Sequence, residues 1–279
     1  PIEHPLPFTP FKDFTDRPIN EINLYSTEMS SALCSIDRVS ASANMNNRLS
    51  EAIVEAYKST NGAPISFELM LKCYQSKMKD ANNDDSISSV LKQLVSAHIF
   101  ESEDKVSLID DSYIIKMDGY PKDGPIAKAI VYFLMSKLNN IYELLDKQAV
   151  NDEVVQIRHF SIIDEAHYML DFDNRPLRNL IAVGRNKGLS IILATQNMSS
   201  FKSKGFDFYA NAQYPLIMKQ QTIDDKVIKD LFGVSGQELQ DIRTAIAGLQ
   251  KGELIIKDQM AFALGMGNKY KKIHVTHLI

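Results

Sequence analysis

The chain predicts an α/β fold with a mostly parallel sheet and a small helical insert, on three observations. Two nearly continuous apolar runs, Phe160 to Ile163 and Leu189 to Ala194, flank the polar, helix-favouring stretch Asn174 to Lys187. That is the strand–helix–strand order of a parallel unit, whose buried strands need no polar alternation. The runs end in Asp164-Glu165 and Thr195-Gln196, so two polar strand ends face one site at the carboxyl edge of the sheet, where ligands collect in open α/β folds. Ahead of these strands, residues 44–102 carry consecutive helical patterns with no strand between them.

Residues 1–43 read as an extended connector truncated from its own strand partners. Pro1, Pro5, Pro7, Pro10 and Pro18 fall there among aromatics, and proline disfavours regular helix. Residues 44–110 form the helical insert, with helices over Asn47 to Ser59, Ser66 to Lys79 and Ser86 to Phe100. Turns at Asn61-Gly62-Ala63-Pro64 and residues 81–85 separate them, and Ser66 and Ser86 stand as N-caps. Leu49, Ile53, Ala56 and Tyr57 share one face, as do Ile87, Val90, Leu91, Leu94 and Val95. A strand over Lys105 to Ile109 would bring this bundle close to a winged helix. Packing is favoured over DNA contact, because Asp84-Asp85 and Asp110-Asp111 would repel phosphates.

Residues 111–279 form the carboxyl-terminal part of the α/β core. The pattern places a short strand at Tyr113 to Met117 and a long helix over Ile126 to Lys147 with Pro125 at its first position, where the missing N–H costs nothing. Val154 to Ile163 leads to the acidic strand end, Leu189 to Ala194 is the second strand, and Tyr214 to Met218 another. Helices follow over Asp224 to Phe232 and Ser235 to Ala247, the latter begun by a Ser235/Glu238 capping box and closed by Gly248. Gly252 to Lys257 and Met260 to Leu264 read as a terminal hairpin.

An apolar strand ending in adjacent carboxylates is a Walker B signature. Asp164 would hold Mg²⁺ directly or through water, and Glu165 would polarise the water that attacks the γ-phosphate of ATP. The bland reading is a solvated turn; Thr195 and Gln196 on the neighbouring strand weigh against it. No Gly-x-x-x-x-Gly-Lys-Ser/Thr loop occurs. Gly119-Tyr-Pro-Lys-Asp-Gly124 has the glycine spacing but continues Pro125-Ile126, lacking the lysine and the hydroxyl. With proline rather than methionine at residue 1, the chain is expected to be the carboxyl-terminal part of a longer polypeptide with its phosphate loop upstream. The alternative is a subunit that has lost the loop.

Ile-Ile-Asp-Glu-Ala-His over residues 162–167, followed by Gly184-Arg-Asn-Lys-Gly-Leu-Ser-Ile-Ile-Leu-Ala-Thr-Gln, resembles the HerA and FtsK group of DNA-translocating ATPases over roughly residues 110–260. The resemblance implies a RecA-like P-loop NTPase core, with Asp164 and Glu165 as the Walker B pair, Gln196 as γ-phosphate sensor, Thr195 beside it at the nucleotide, and Arg185 reaching a neighbouring subunit's nucleotide. It further implies ATP and Mg²⁺ as cofactors, DNA as partner and a hexameric ring. Within the group, the helical segment and the ending resemble restriction proteins of the phosphorothioation-dependent defence system, which implies other restriction-system subunits as partners. A non-hydrolysing scaffold with a degenerate site, or a secretion-type ATPase, would share much of this pattern.

Composition sets the outer bounds. At 44% hydrophobic and 24% charged residues the chain is an ordinary globular one. No apolar run approaches the roughly 18 residues of a membrane span, so neither a membrane partner nor a leader is expected. Cys34 and Cys73 have no metal-ligand spacing and read as ordinary thiols of a reducing cytoplasm. The net charge of −4 argues against bulk nucleic-acid coating but not against a few lysines lining a channel. Lys202, Lys204, Phe201, Phe206 and Phe208 are candidates for pore or DNA contact. Arg178 lies seven residues before Arg185; either arginine could serve as the finger or pair with Asp171 or Asp173. His167 is more often a strand-end histidine than a coupling residue, and His274 and His277 show no third metal ligand.

Overall fold

The computed structural model describes residues 4–36, 41–79, 84–151, 154–170, 172–196, 198–203, 206–212, 214–265, 267 and 269–275. In chain order the helices are α1 (Ile19–Ile36), α2 (Ala43–Ser59), α3 (Phe67–Ser76), α4 (Ser86–Ala97), α5 (Pro125–Leu144), α6 (Arg175–Val183), α7 (Phe208–Asn211), α8 (Asp225–Phe232), α9 (Gly236–Ala247) and α10 (Gln259–Leu264). The strands are β1 (Val150–Asn151), β2 (Val154–Val155), β3 (His159–Ile163), β4 (Leu189–Leu193), β5 (Lys202–Ser203), β6 (Phe206–Asp207), β7 (Leu216–Ile217), β8 (Glu253–Lys257) and β9 (Tyr270–His274). Two compact units divide them: Pro1–Ile162 with Asp171–Ile192, and Ile163–Leu170 with Leu193–Ile279.

In the first unit the three helices expected over residues 44–102 form, with Leu49, Ile53, Ala56 and Tyr57 of α2 wholly buried. Ser66 caps α3 by accepting from the Leu69 N–H at 3.2 Å. The cap of α4 is Asp85 rather than Ser86. Asp85 Oδ1 accepts from the Ser88 N–H at 2.9 Å while Ser88 Oγ accepts from the Asp85 N–H, also at 2.9 Å. Asp85 Oδ2 further takes the Tyr74 hydroxyl at 2.7 Å and Arg48 at 3.1 Å, and Asp84 pairs with Lys92 at 2.6 Å. The acidic cluster is therefore part of the bundle's own bonding.

Residues 19–36, expected within an extended connector, form the 18-residue helix α1. The prolines stop at Pro18, and a proline restricts only its own turn and the residue before it. Beyond it Ile22, Met29, Leu33 and Ile36 recur at helical spacing and are buried. The preceding segment is packed, not loose: Phe8, Phe11 and Phe14 are 1–2% exposed. Phe11 meets Phe67 and Phe133 edge-on at 4.9 and 5.7 Å, and Leu6 forms a parallel bridge with Phe100.

Two further expected strands are absent among the described residues. Lys105 to Ile109 is irregular, so the bundle carries no wing; Asp104 anchors the segment instead, accepting from the Thr9 N–H at 3.0 Å and pairing with Lys137 at 2.5 Å. Tyr113 to Met117 is irregular and pairs with no strand among the described residues; Met117 O accepts from the Tyr120 N–H at 3.3 Å, and Ile114 is 91% exposed. The long helix forms as α5, with Pro125 in its first turn after Gly124.

Strands β3 and β4 pair directly. Arg158 N–H donates to Gly188 O at 2.7 Å before β3, and Ala194 N–H donates to Ile163 O at 2.9 Å at its end. The partners advance together along both strands, so the pair is parallel, as expected of strands joined through α6.

The second unit is organised by the antiparallel sheet β7-β8-β9. Ile217 and Ile255 from this sheet pack with Val227, Ile228, Leu231 and Phe232 of α8 and with Leu239, Ile242 and Ile246 of α9. Met260 to Leu264, expected as the second hairpin strand, lies in α10. Asp258 Oδ1 accepts from the Met260 and Ala261 N–H groups, each at 3.1 Å, which starts a helix. The partner of β8 is β9 instead. Ser235 precedes α9 without a side-chain capping bond, and Glu238 pairs with Lys269 at 3.3 Å rather than closing a capping box.

Candidate functional site

The end of β3 is drawn to the end of β4 by the backbone before any side chain acts. Ala194 N–H donates to Ile163 O at 2.9 Å, and Ala166 N–H donates to Ala194 O at 2.8 Å. Between these bonds the chain turns through Asp164 and Glu165 into a 3-10 helix over Ala166–Met169. Glu165 sits at φ 51°, in the left-handed region that a residue with a Cβ enters at a cost of about 1–2 kcal/mol. Asp164 Oδ1 supports that turn by accepting from the Glu165 N–H at 2.9 Å. Non-glycine residues held in this way concentrate at functional sites.

This turn brings together four of the five residues singled out in the sequence, together with His167. Gln196 Nε2 donates to Glu165 Oε1 at 2.5 Å. His167 Nδ1 lies 3.2 Å from Thr195 Oγ1 and 3.5 Å from Glu165 Oε2. Glu165 Oε2 is shielded from solvent and makes no hydrogen bond among the described residues. The carboxylate is thus held at one oxygen by the neighbouring strand end and faces an imidazole with the other.

Asp164 fits a magnesium ion of the water-rich kind. Its carboxylate is exposed at the strand end, and among the described residues only Oδ1 is engaged, by the Glu165 N–H. Mg²⁺ keeps most of its waters and takes one or two carboxylates rather than an all-protein cage. Among the described residues no group of three His, Cys, Asp or Glu side chains converges as a cage would require.

Arg185, the fifth residue, lies in the first unit on a 3-10 turn over Gly184–Lys187, with its side chain exposed. The glycines that frame it have steric reasons. A Cβ on Gly184 would stand 2.8 Å from Leu189 Cδ2, and one on Gly188, at φ +84°, would stand 2.8 Å from Gln156 O. Lys187 is turned inward, donating to Tyr142 O at 2.5 Å and to Glu143 O at 3.0 Å. The two arginines are therefore unlike: Arg178 is taken by an ion pair with Asp173, whereas Arg185 stands outward. Asp171, the other acid considered for them, lies outside the described residues.

The aromatics beyond β4 divide. Phe208 is buried and Phe201 packs edge-on against Tyr209 at 5.6 Å, so the Phe208 ring is not available to stack on a base. Lys204 lies outside the described residues, as do the side chains of Lys202 and Phe206. His274 is exposed on β9, and His277 lies outside the described residues. The left-handed turn at Glu165 and the His167 to Thr195 contact have no advance signal in the sequence, since neither a glycine nor a spacing rule marks them.

No protein-family profile and no curated protein sequence matches this chain. Among solved structures, VirB4 of Thermoanaerobacter pseudethanolicus superposes with a TM-score of 0.63 at 17% identity, over 98% of this chain and 73% of that one. The plasmid coupling protein TrwB, in complex with the non-hydrolysable GTP analogue GDPNP, superposes with a TM-score of 0.52 at 14% identity, over 95% of this chain and 71% of that one. At such identities the likeness is one of fold: the chain has the α/β fold of the RecA-like P-loop ATPases. No helix among the described residues is long and apolar enough to cross a membrane.

Proposed function

We propose that this chain supplies the hydrolysing and sensing strand ends of an ATP-driven DNA motor, built as a ring of like subunits and serving a DNA restriction system. The observation that carries the reading is the 2.5 Å contact from Gln196 Nε2 to Glu165 Oε1. It joins the acidic end of one parallel strand to the amide end of the next, the juxtaposition a hydrolase needs between its base and its phosphate sensor. ATP with magnesium, when bound, supplies a γ-phosphate whose charge the metal partly neutralises. Asp164 would hold the ion with its exposed carboxylate. Glu165 would orient a water and accept its proton, once Gln196 turns its amide toward the phosphate. Thr195, beside Gln196, would contribute a hydroxyl to the same end.

The outward-facing Arg185 supports assembly, since a guanidinium presented to solvent can complete a neighbour's site as one held in an ion pair cannot. A fold shared with a plasmid coupling protein is in keeping with work on DNA. The restriction role rests on the resemblance of the helical segment and the ending.

A second reading, a non-hydrolysing scaffold, is favoured by one observation: these 279 residues contain no phosphate-cradling lysine loop. Magnesium-dependent ATP turnover by the intact protein, measured with and without DNA, separates the readings. DNA-stimulated turnover that Glu165→Gln abolishes supports the motor. Nucleotide binding without turnover supports the scaffold, and turnover indifferent to DNA points to a secretion-type ATPase.

A further inference from the structure

Resting on the proposed role of Glu165 as general base, the geometry points to His167 as a positioning residue for that base. His167 is placed by backbone, not by chance of rotamer. The 3-10 turn that carries it is fastened to the residue that follows β4 through the 2.8 Å bond from Ala166 N–H to Ala194 O, and Tyr168 N–H returns to Glu165 O at 3.1 Å. The Tyr168 ring lies against the imidazole at 4.1 Å between centroids. So held, Nδ1 stands between two oxygens, Thr195 Oγ1 at 3.2 Å and Glu165 Oε2 at 3.5 Å.

Glu165 has the complementary need. Its Oε1 takes the Gln196 amide, while its Oε2 is shielded from solvent and unbonded among the described residues. A shielded carboxylate oxygen without a partner is destabilising, and a closure of a few tenths of an ångström by the ring would satisfy it. When Gln196 turns to a phosphate, Oε1 is freed to meet water, and the carboxylate then needs a second anchor to keep its direction. His167 Nδ1–H, donating to Oε2, is that anchor. Thr195 Oγ1, as the alternative neighbour of Nδ1, ties the same imidazole to the strand end that carries the sensor.

The test has two readouts. In the intact protein, His167→Leu is expected to lower kcat about 10- to 100-fold, the scale of a misoriented catalytic group, while KM for ATP moves less than about twofold. His167→Asn, whose amide N–H sits near the position of Nδ1, is expected to restore most of kcat. In a Glu165→Gln background His167→Leu should add no further loss, because the two residues act as one unit. Independently of turnover, ¹⁵N-histidine spectra of the 279-residue chain should show the His167 Nδ1 resonance, assigned by its loss in His167→Asn, shifting in both Glu165→Gln and Thr195→Val.

Equal losses from His167→Leu in both backgrounds, or a resonance deaf to both neighbours, overturn the positioning role. If Glu165→Gln alone leaves turnover intact, the base assignment has failed and takes the positioning role with it. The spectra identify that case, since the imidazole would still respond to Glu165.

Discussion

Glu165 is the residue at which backbone and chemistry meet. Its left-handed conformation at φ 51° points the carboxylate back toward Gln196, at a conformational cost of about 1–2 kcal/mol that glycine or asparagine would largely avoid. Glu165→Asn is therefore expected to melt at the parent's temperature or a few degrees above it while losing turnover, the usual opposition between stability and a strained site. A clear drop in melting temperature would mean that the Gln196 bond outweighs the strain. Glu165→Gln keeps the shape but cannot accept a proton, so nucleotide binding should persist while turnover falls about 100-fold or more. Unchanged turnover, with Asp164→Ala inactive, would leave Glu165 as a structural carboxylate. Asp164, Glu165, Thr195 and Gln196 were legible because apolar runs end abruptly at them. The turn between them was not, since Asp-Glu carries no signal for a positive φ.

At the scale of elements, the glycines at the entrances to β4 and α9 separate necessity from tolerance. Gly188 precedes β4 at φ +84°, with Gln156 O 2.8 Å from where a Cβ would stand; Gly236 opens α9 at φ +56° with nothing within 4 Å. Gly188→Ala should cost about 2–4 kcal/mol, combining strain with a backbone clash, and Gly236→Ala only about 1 kcal/mol from conformation. Denaturant midpoints at constant slope would show the ordering, and equal costs would refute the steric argument. Asp85→Ala removes the α4 cap together with the partners of Tyr74 and Arg48, and should cost about 2–3 kcal/mol. The helices were legible where apolar residues recur at helical spacing, as in α2 and α5. Short elements were not. Met260 to Leu264 is apolar enough for a strand, but Asp258 caps it into a helix, and Leu216–Ile217 forms only two residues of the strand expected over Tyr214 to Met218.

For the molecule as a whole, what is missing from the sequence matters as much as what the structure positions. Without a lysine-bearing loop, the 279-residue chain alone should bind ATP weakly and not turn it over, since that loop supplies much of phosphate binding. Robust turnover by these residues would demand an unconventional phosphate site. The choice between the two arginines could not be made from spacing, because both lie on one helical stretch; an ion pair with Asp173 removes Arg178 and leaves Arg185 outward. If Arg185 completes a neighbour's site, Arg185→Ala in the intact protein should preserve assembly and nucleotide binding yet lower turnover by about 10³-fold. Arg178→Ala should instead act modestly on stability, because it removes the ion pair with Asp173 and leaves that half-exposed carboxylate with the Ser31 hydroxyl. Mixing decides between cis and trans action. Arg185→Ala subunits combined with Glu165→Gln subunits create some interfaces with an intact Glu165 on one side and an intact Arg185 on the other, so part of the activity should return. An arginine serving its own subunit's site allows no such recovery, because every subunit then carries a defect in its own site. No recovery in rings whose mass confirms mixed composition would place the finger elsewhere.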